Sequence, residues 1–302
     1  MDWFSFALLG AASLAFTGVI DKFILEKYVS NSYSYLVCLI LFQQIFAAGI
    51  FYFMGSGFVY PQSFYAILAG IVQIMYWAAY LKALKVEETS RIAALVFVYP
   101  VFVFPAAVLI LGEALALKDY IGGLFLVFSA ILVSYRPPVP SMQNRKNSLN
   151  LSPALRYMFL FWIFYATYSI AAKYLLAYMD EWHLMLWLSL GNLLAVLAFL
   201  TQKGIREELV KYFHAGYIFF SSLAAEEIFS FLGRGALIFA YAVGSVALVS
   251  SVAALQPFLT LIYVLFLSIF MPGILREKMD RKTISLKIMA SVLIIIGLYL
   301  VS

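Results

Sequence analysis

The sequence predicts an all-α membrane protein of ten transmembrane helices, arranged as two inverted five-helix repeats. Three observations carry this. Apolar residues make up 65% of the chain and charged residues only 12%. A soluble domain carries roughly 25% charge, so too few polar side chains exist here to cover a water-facing surface. The apolar residues also gather in continuous runs near the ~20 residues that a bilayer-crossing helix needs, without the alternation of a β-barrel. Finally, the runs divide evenly around one polar stretch. The same composition excludes a soluble enzyme, a nucleic-acid binder and a disordered chain.

Taken in order, the first five runs cover 3–20, 33–54, 63–84, 90–111 and 119–135. Residues 136–152 follow, with a Pro-Pro pair, several Asn and basic residues, and they read as a linker. The second five runs cover 154–178, 183–201, 213–242, 246–271 and 284–301. The units are therefore a first repeat over 1–135 and a second over 153–302. The N-terminus lacks the basic region of a signal peptide, so the first run reads as a retained span. Cys38 lies alone in an apolar run, and His183 and His214 are isolated, which leaves no disulfide framework, metal cluster or cofactor to expect.

The halves echo each other. AFTGVIDKFIL at 15–25 lies over ATYSIAAKYLL at 166–176, with Lys22 and Lys173 in register. Ala93, Ala94 and Pro100 lie over Ser250, Ser251 and Pro257 at the same spacing. Because each unit has an odd number of spans, a shared fold places the second unit upside down. Inverted repeats of this kind bind substrate near the midplane where they meet. The basic residues fall in the odd-numbered connections, Lys118, Lys173 and Arg234 apart. Positive-inside reasoning then puts both termini outside the cytoplasm.

Several of these features resemble the drug/metabolite transporter superfamily, in its EamA-like branch. The ten-helix plan covers the whole chain. The stretch from Ala78 to Gly123 carries small residues before Pro100, then Gly112-Glu113, then Gly122-Gly123 opening the fifth span. A fainter echo runs over Ala240–Pro257 and Gly297. The second half departs from the pattern, with Phe270 where the glutamate would fall. The resemblance implies a transporter of amino acids, amines, sugars or nucleotide sugars in a cell membrane. It also implies cytoplasmic termini, against the charge tally.

Ionisable groups inside a span are costly and mark function by default. The eighth run holds Glu226, Glu227 and Arg234, with the last two on nearly one helix face. The glutamates could hold a cation or a proton, and the arginine an anion. The same trio could instead brace a tight helix contact at Gly233 and Gly235. Gln73, Tyr76, Trp77 and Tyr80 form a polar and aromatic group suited to lining a cavity. Tyr99 and Gln256 precede Pro100 and Pro257, which are candidate hinges. Lys22 and Lys173 read as snorkelling to headgroups, Glu113 as a helix-end brace, and Gln43, Gln44 and Asn192 as interhelical hydrogen-bonders. Glu87, Glu88 and Arg91 read as a solvated turn.

The chain therefore reads as a secondary transporter of a small organic metabolite, working by alternating access, with membrane lipid around it and protons as the coupling ion. No phosphate-binding loop is present, so a gradient supplies the energy. Flipping of a lipid-linked or sugar-nucleotide group is the alternative. A membrane-embedded transferase would need clustered acids or histidines that are absent, so no catalytic residue is assigned.

Overall fold

The computed structural model describes residues 2–86, 92, 95–134, 154–270 and 281–301. The linker expected at 136–152, the Glu87–Glu88–Arg91 turn, Ala93, Ala94 and the basic stretch 276–280 lie outside these. Apart from turns and short connections, the described elements are helical. They are α1 (Trp3–Lys27), α2 (Ser32–Met54), α3 (Gln62–Val86), α4 (Pro100–Leu111), α5 (Leu117–Ser134), α6 (Ala154–Leu175), α7 (Glu181–Leu197), α8 (Lys203–Tyr212), α9 (Tyr217–Val243), α10 (Val246–Ala253), α11 (Gln256–Phe270) and α12 (Arg281–Val301). Among the described residues, six helical segments are long and apolar enough to cross a membrane.

Side-chain caps set several of these starts, as expected where the first N–H groups lack partners. Asp2 accepts from Ser5 N at 2.9 Å, Asn31 from Tyr33 N at 3.0 Å, and Ser245 from Leu248 N at 3.3 Å. Asp180 opens α7 by accepting from His183 N at 3.0 Å and meeting the His183 ring at 2.5 Å. Burial pushes the Asp180 carboxyl up, but these hydrogen bonds outweigh it and hold it below the usual carboxylate range. The folded form thus holds its proton less tightly than the unfolded chain. This stability is present above the ordinary carboxylate pKa and fades as pH falls through the folded value. Asp180→Asn should flatten the fall in Tm as the pH drops from about 5 to about 2, and an unchanged slope would contradict this. On the other side of the same ring, Gly57 has φ +50°, and a Cβ there would come within 2.0 Å of His183.

The structure differs from the run pattern in three places. A short amphipathic helix, α8, precedes the long α9, which an apolar count does not see because its face is charged. Its buried Glu208 ties it to the start of α2, accepting from Ser30 N, Asn31 N and the Tyr212 hydroxyl at 2.8, 3.0 and 2.9 Å. The ninth run is interrupted at 254–255, ahead of Gln256 and Pro257. The fourth is likewise turned at 97–99, so Pro100 opens α4 instead of kinking a continuous helix. A proline in the first helical turn has no N–H to lose, which is why both prolines are tolerated here.

Side chains from other helices meet the carbonyls near these breaks. Trp162 Nε1 donates to Leu95 O at 2.8 Å, and the Tyr99 hydroxyl donates to Ser250 O at 3.1 Å. Gln256 Nε2 donates to Leu14 O at 3.2 Å, which fastens α11 to α1.

Packing is closest where small residues cross, since helices in lipid associate through contact and not through hydrophobic exclusion. A Cβ on Gly70 of α3 would lie 2.2 Å from Leu188 O, and one on Gly191 of α7 only 2.1 Å from Ile67 O. In the same way Gly233 of α9 abuts Leu14 of α1, and Gly122 of α5 abuts Gly297 of α12. The tight contact expected at Gly233 is therefore the α1–α9 crossing.

A helix-end junction holds the second half to the first. Lys173 does not snorkel; its Nζ donates to Tyr241 O at 2.6 Å and Gly244 O at 2.8 Å, at the C-terminal end of α9 where carbonyls lack partners. Glu113 accepts from Ser245 Oγ at 2.5 Å, Val246 N at 2.7 Å and Ala247 N at 3.4 Å, which caps α10 from the α4–α5 connection. Loss of that cap in Glu113→Ala should destabilise the protein by about 1–2 kcal/mol. Thermal unfolding in detergent measures it, and an unchanged Tm would show that the cap contributes nothing.

Candidate substrate cleft

Five helices from both halves, α2, α3, α6, α7 and α9, converge on one cleft. Its wall carries Gln43 from α2, Gln73 from α3, Tyr168 from α6, Ser189 from α7, and Phe231 and Arg234 from α9. Of the lining residues, Arg234 alone is charged. The polar members are fixed by their neighbours. Gln73 Nε2 donates to the Tyr76 hydroxyl at 3.4 Å, Gln44 Nε2 to Ser189 Oγ at 3.1 Å, and Asn192 Nδ2 to Gln43 Oε1 at 3.4 Å. Phe231 stacks on Phe46 with centroids 4.5 Å apart.

The two glutamates of α9 have different surroundings. Glu227, 1% exposed, pairs with Arg234 seven residues on, nearly two turns along the same face. The arginine side chain keeps 20% of its surface accessible, whereas the Glu227 carboxylate is enclosed behind it. Glu226 lies about 100° around the helix, and neither glutamate lines the cleft. Its neighbours are Asp21 of α1, Tyr35 and Cys38 of α2, and Glu227 and Arg234 of its own helix. Glu226 is 2% exposed, and its Oε2 has no hydrogen-bond partner among the described residues. The Tyr35 hydroxyl donates to Asp21 Oδ1 at 2.6 Å.

The remaining candidates separate. Tyr76 turns into a buried aromatic cluster, 5.1 Å from Tyr165 and 5.9 Å from Tyr168 between centroids. Tyr99 joins the same cluster, 4.1 Å from Tyr165. Trp77 is 38% exposed and packs edge-on to Tyr80 at the margin. Tyr99, Gln256, Pro100 and Pro257 belong to the interrupted helices and do not line the cleft. Asp21 was not singled out in the sequence, because the first apolar run stops at residue 20 and the acid beside Lys22 reads as a span end. The helix in fact continues to Lys27, which carries Asp21 inward.

Six helical segments long and apolar enough to cross a bilayer, with a polar cleft between helices, mark a multi-pass integral membrane protein. Residues 1–135 match the EamA-like transporter family, consistent with the drug/metabolite transporter superfamily. One solved crystal structure aligns over 98% of this chain and 96% of its own, with a TM-score of 0.69 at 15% identity. A likeness at that identity speaks for the fold alone. No curated protein sequence matches the chain.

Proposed function

We propose that the protein is a secondary transporter of a small organic metabolite, working by alternating access through the cleft between two inverted five-helix repeats. The observation that carries this reading is a partly accessible Arg234 in the cleft wall where helices from both halves meet, with the Glu226 and Glu227 carboxyl groups buried beside it. The packing supports the repeat. The extensive α1–α9 contact has its counterpart in α6–α3, and α5 pairs with α12. Under that symmetry α3–α7 corresponds to α9–α2, yet α3 and α7 are tightly joined and α9 and α2 only lightly. Exchange between these two pairings is the alternation we propose.

In this reading Asp21 and Glu226 hold the coupling proton. Two carboxyl groups close together in a low-dielectric site repel when both are ionised, and one proton relieves that repulsion. Tyr35, Cys38, Tyr80, Glu227 and Arg234 stand around the pair. The test is uptake of labelled metabolites into proteoliposomes with and without a pH gradient. Glu226→Gln should abolish accumulation driven by the gradient while leaving downhill exchange. Gradient-driven accumulation at the wild-type level in Glu226→Gln would remove the proton from this site.

A further inference from the structure

We infer that the cleft selects an organic anion, a carboxylate on an apolar or aromatic body, and not an amine or other cation. The inference rests on the transporter reading of this cleft and names its substrate class. The eighth run carries two acids and one base, a balance that by itself favours a cation. Burial reverses it. Both glutamates are enclosed, at 2% and 1% exposure, and neither lines the cleft, whereas the one charged side chain that does is Arg234.

A guanidinium presents five N–H donors. Among the described residues its hydrogen bonding is to Glu227 alone, through one terminal nitrogen. Donors therefore remain on the accessible part of the side chain for a planar two-oxygen acceptor, the geometry that arginine recognises best. Further N–H and O–H groups stand around it, since Gln43, Gln73, Tyr168 and Ser189 share the same wall. The apolar part of the wall comes from Phe46, Phe231 and Met185, which suits a hydrocarbon or ring next to the carboxylate. A cationic ligand would face the guanidinium with no carboxylate oxygen lining its side of the cleft.

The charged partner of Arg234 also serves this selectivity. Glu227 holds the guanidinium in place and fixes which of its edges is presented, so Glu227 is a positioning residue and Arg234 the contact.

The experiment compares three probes of matched shape: phenylacetate, phenylacetamide and phenethylamine. Binding to the purified full-length protein is read by tryptophan fluorescence or thermal shift, independently of flux. Phenylacetate should bind at least about tenfold more tightly than either neutral or cationic analogue, the discrimination expected of a charge-assisted pair. The paired variant Arg234→Gln, Glu227→Gln, which removes both charges together and leaves neither buried alone, should bring the three probes to within about twofold. A preference for the amine, equal binding of all three by the wild type, no binding of any probe, or an acid preference that survives the paired variant would each overturn the inference. Failure of the transporter reading shows differently, as absence of flux for a solute that binds with the stated preference.

Discussion

Arg234→Ala is expected to abolish transport and to destabilise the protein by about 3–5 kcal/mol, the cost of leaving a buried carboxylate without its partner. Glu227 is 1% exposed, and its hydrogen bond from Arg234 is the ionic contact that holds the pair. The two effects separate in the paired variant. Replacing Arg234 and Glu227 together by glutamine removes both charges, so most of the lost stability should return. Transport should not, because among the described residues the guanidinium is the only charged group in the cleft wall. Thermal unfolding and flux measured on the same preparations give both numbers. Transport in the paired variant at the wild-type rate would reduce Arg234 to a structural brace.

A comparable loss is expected at the α3–α7 crossing. Gly191→Ala places a methyl group about where Ile67 O stands, 2.1 Å away, and within 2.9 Å of the Gly70 Cα. Both obstacles are backbone, which cannot rotate aside, so the helices must separate. Overpacking of this kind costs about 1–3 kcal/mol and more when the backbone must shift, and we expect the upper end. Gly18→Ala in α1 supplies the control, since a Cβ there meets nothing within 4 Å. It should be neutral or stabilising by up to about 1 kcal/mol, the helical advantage of alanine over glycine. Equal Tm shifts for the two substitutions would contradict the close crossing. If the α3–α7 contact also closes one end of the cleft, Gly191→Ala should slow transport more than its loss of folded protein explains.

Much of this was legible in the chain, for reasons that differ from element to element. The six spans found among the described residues were readable because lipid allows few alternatives to a continuous apolar helix. Glu226, Glu227 and Arg234 stood out because charge inside such a run is expensive. Glu113 was readable as a brace, and it does cap α10. Less was visible where the answer depends on which side of a helix meets which neighbour. Glu226 and Glu227 are adjacent in sequence, yet Glu227 pairs with Arg234 while Glu226 Oε2 has no hydrogen-bond partner among the described residues, and no periodicity foretells this difference. Asp21 escaped notice because apolar runs mark where hydrophobicity ends and not where the helix ends. Gln73 and Tyr76 looked like one lining group, but Gln73 faces the cleft while Tyr76 is enclosed by Tyr165 and Tyr168. Lys173 shows the same limit: its spacing fitted a headgroup, while its partners are carbonyls at the end of a helix far along the chain.

The most direct measurement is solute flux across a sealed bilayer that contains this protein and no other. Purified protein is reconstituted into liposomes and challenged with labelled organic acids, amines and neutral analogues, with the Arg234→Gln, Glu227→Gln variant reconstituted in parallel. Saturable uptake of at least one organic acid is expected, faster with an inward proton gradient and absent from the paired variant. Uptake no faster than in protein-free liposomes for every solute class, or uptake indifferent to the loss of Arg234, would contradict it.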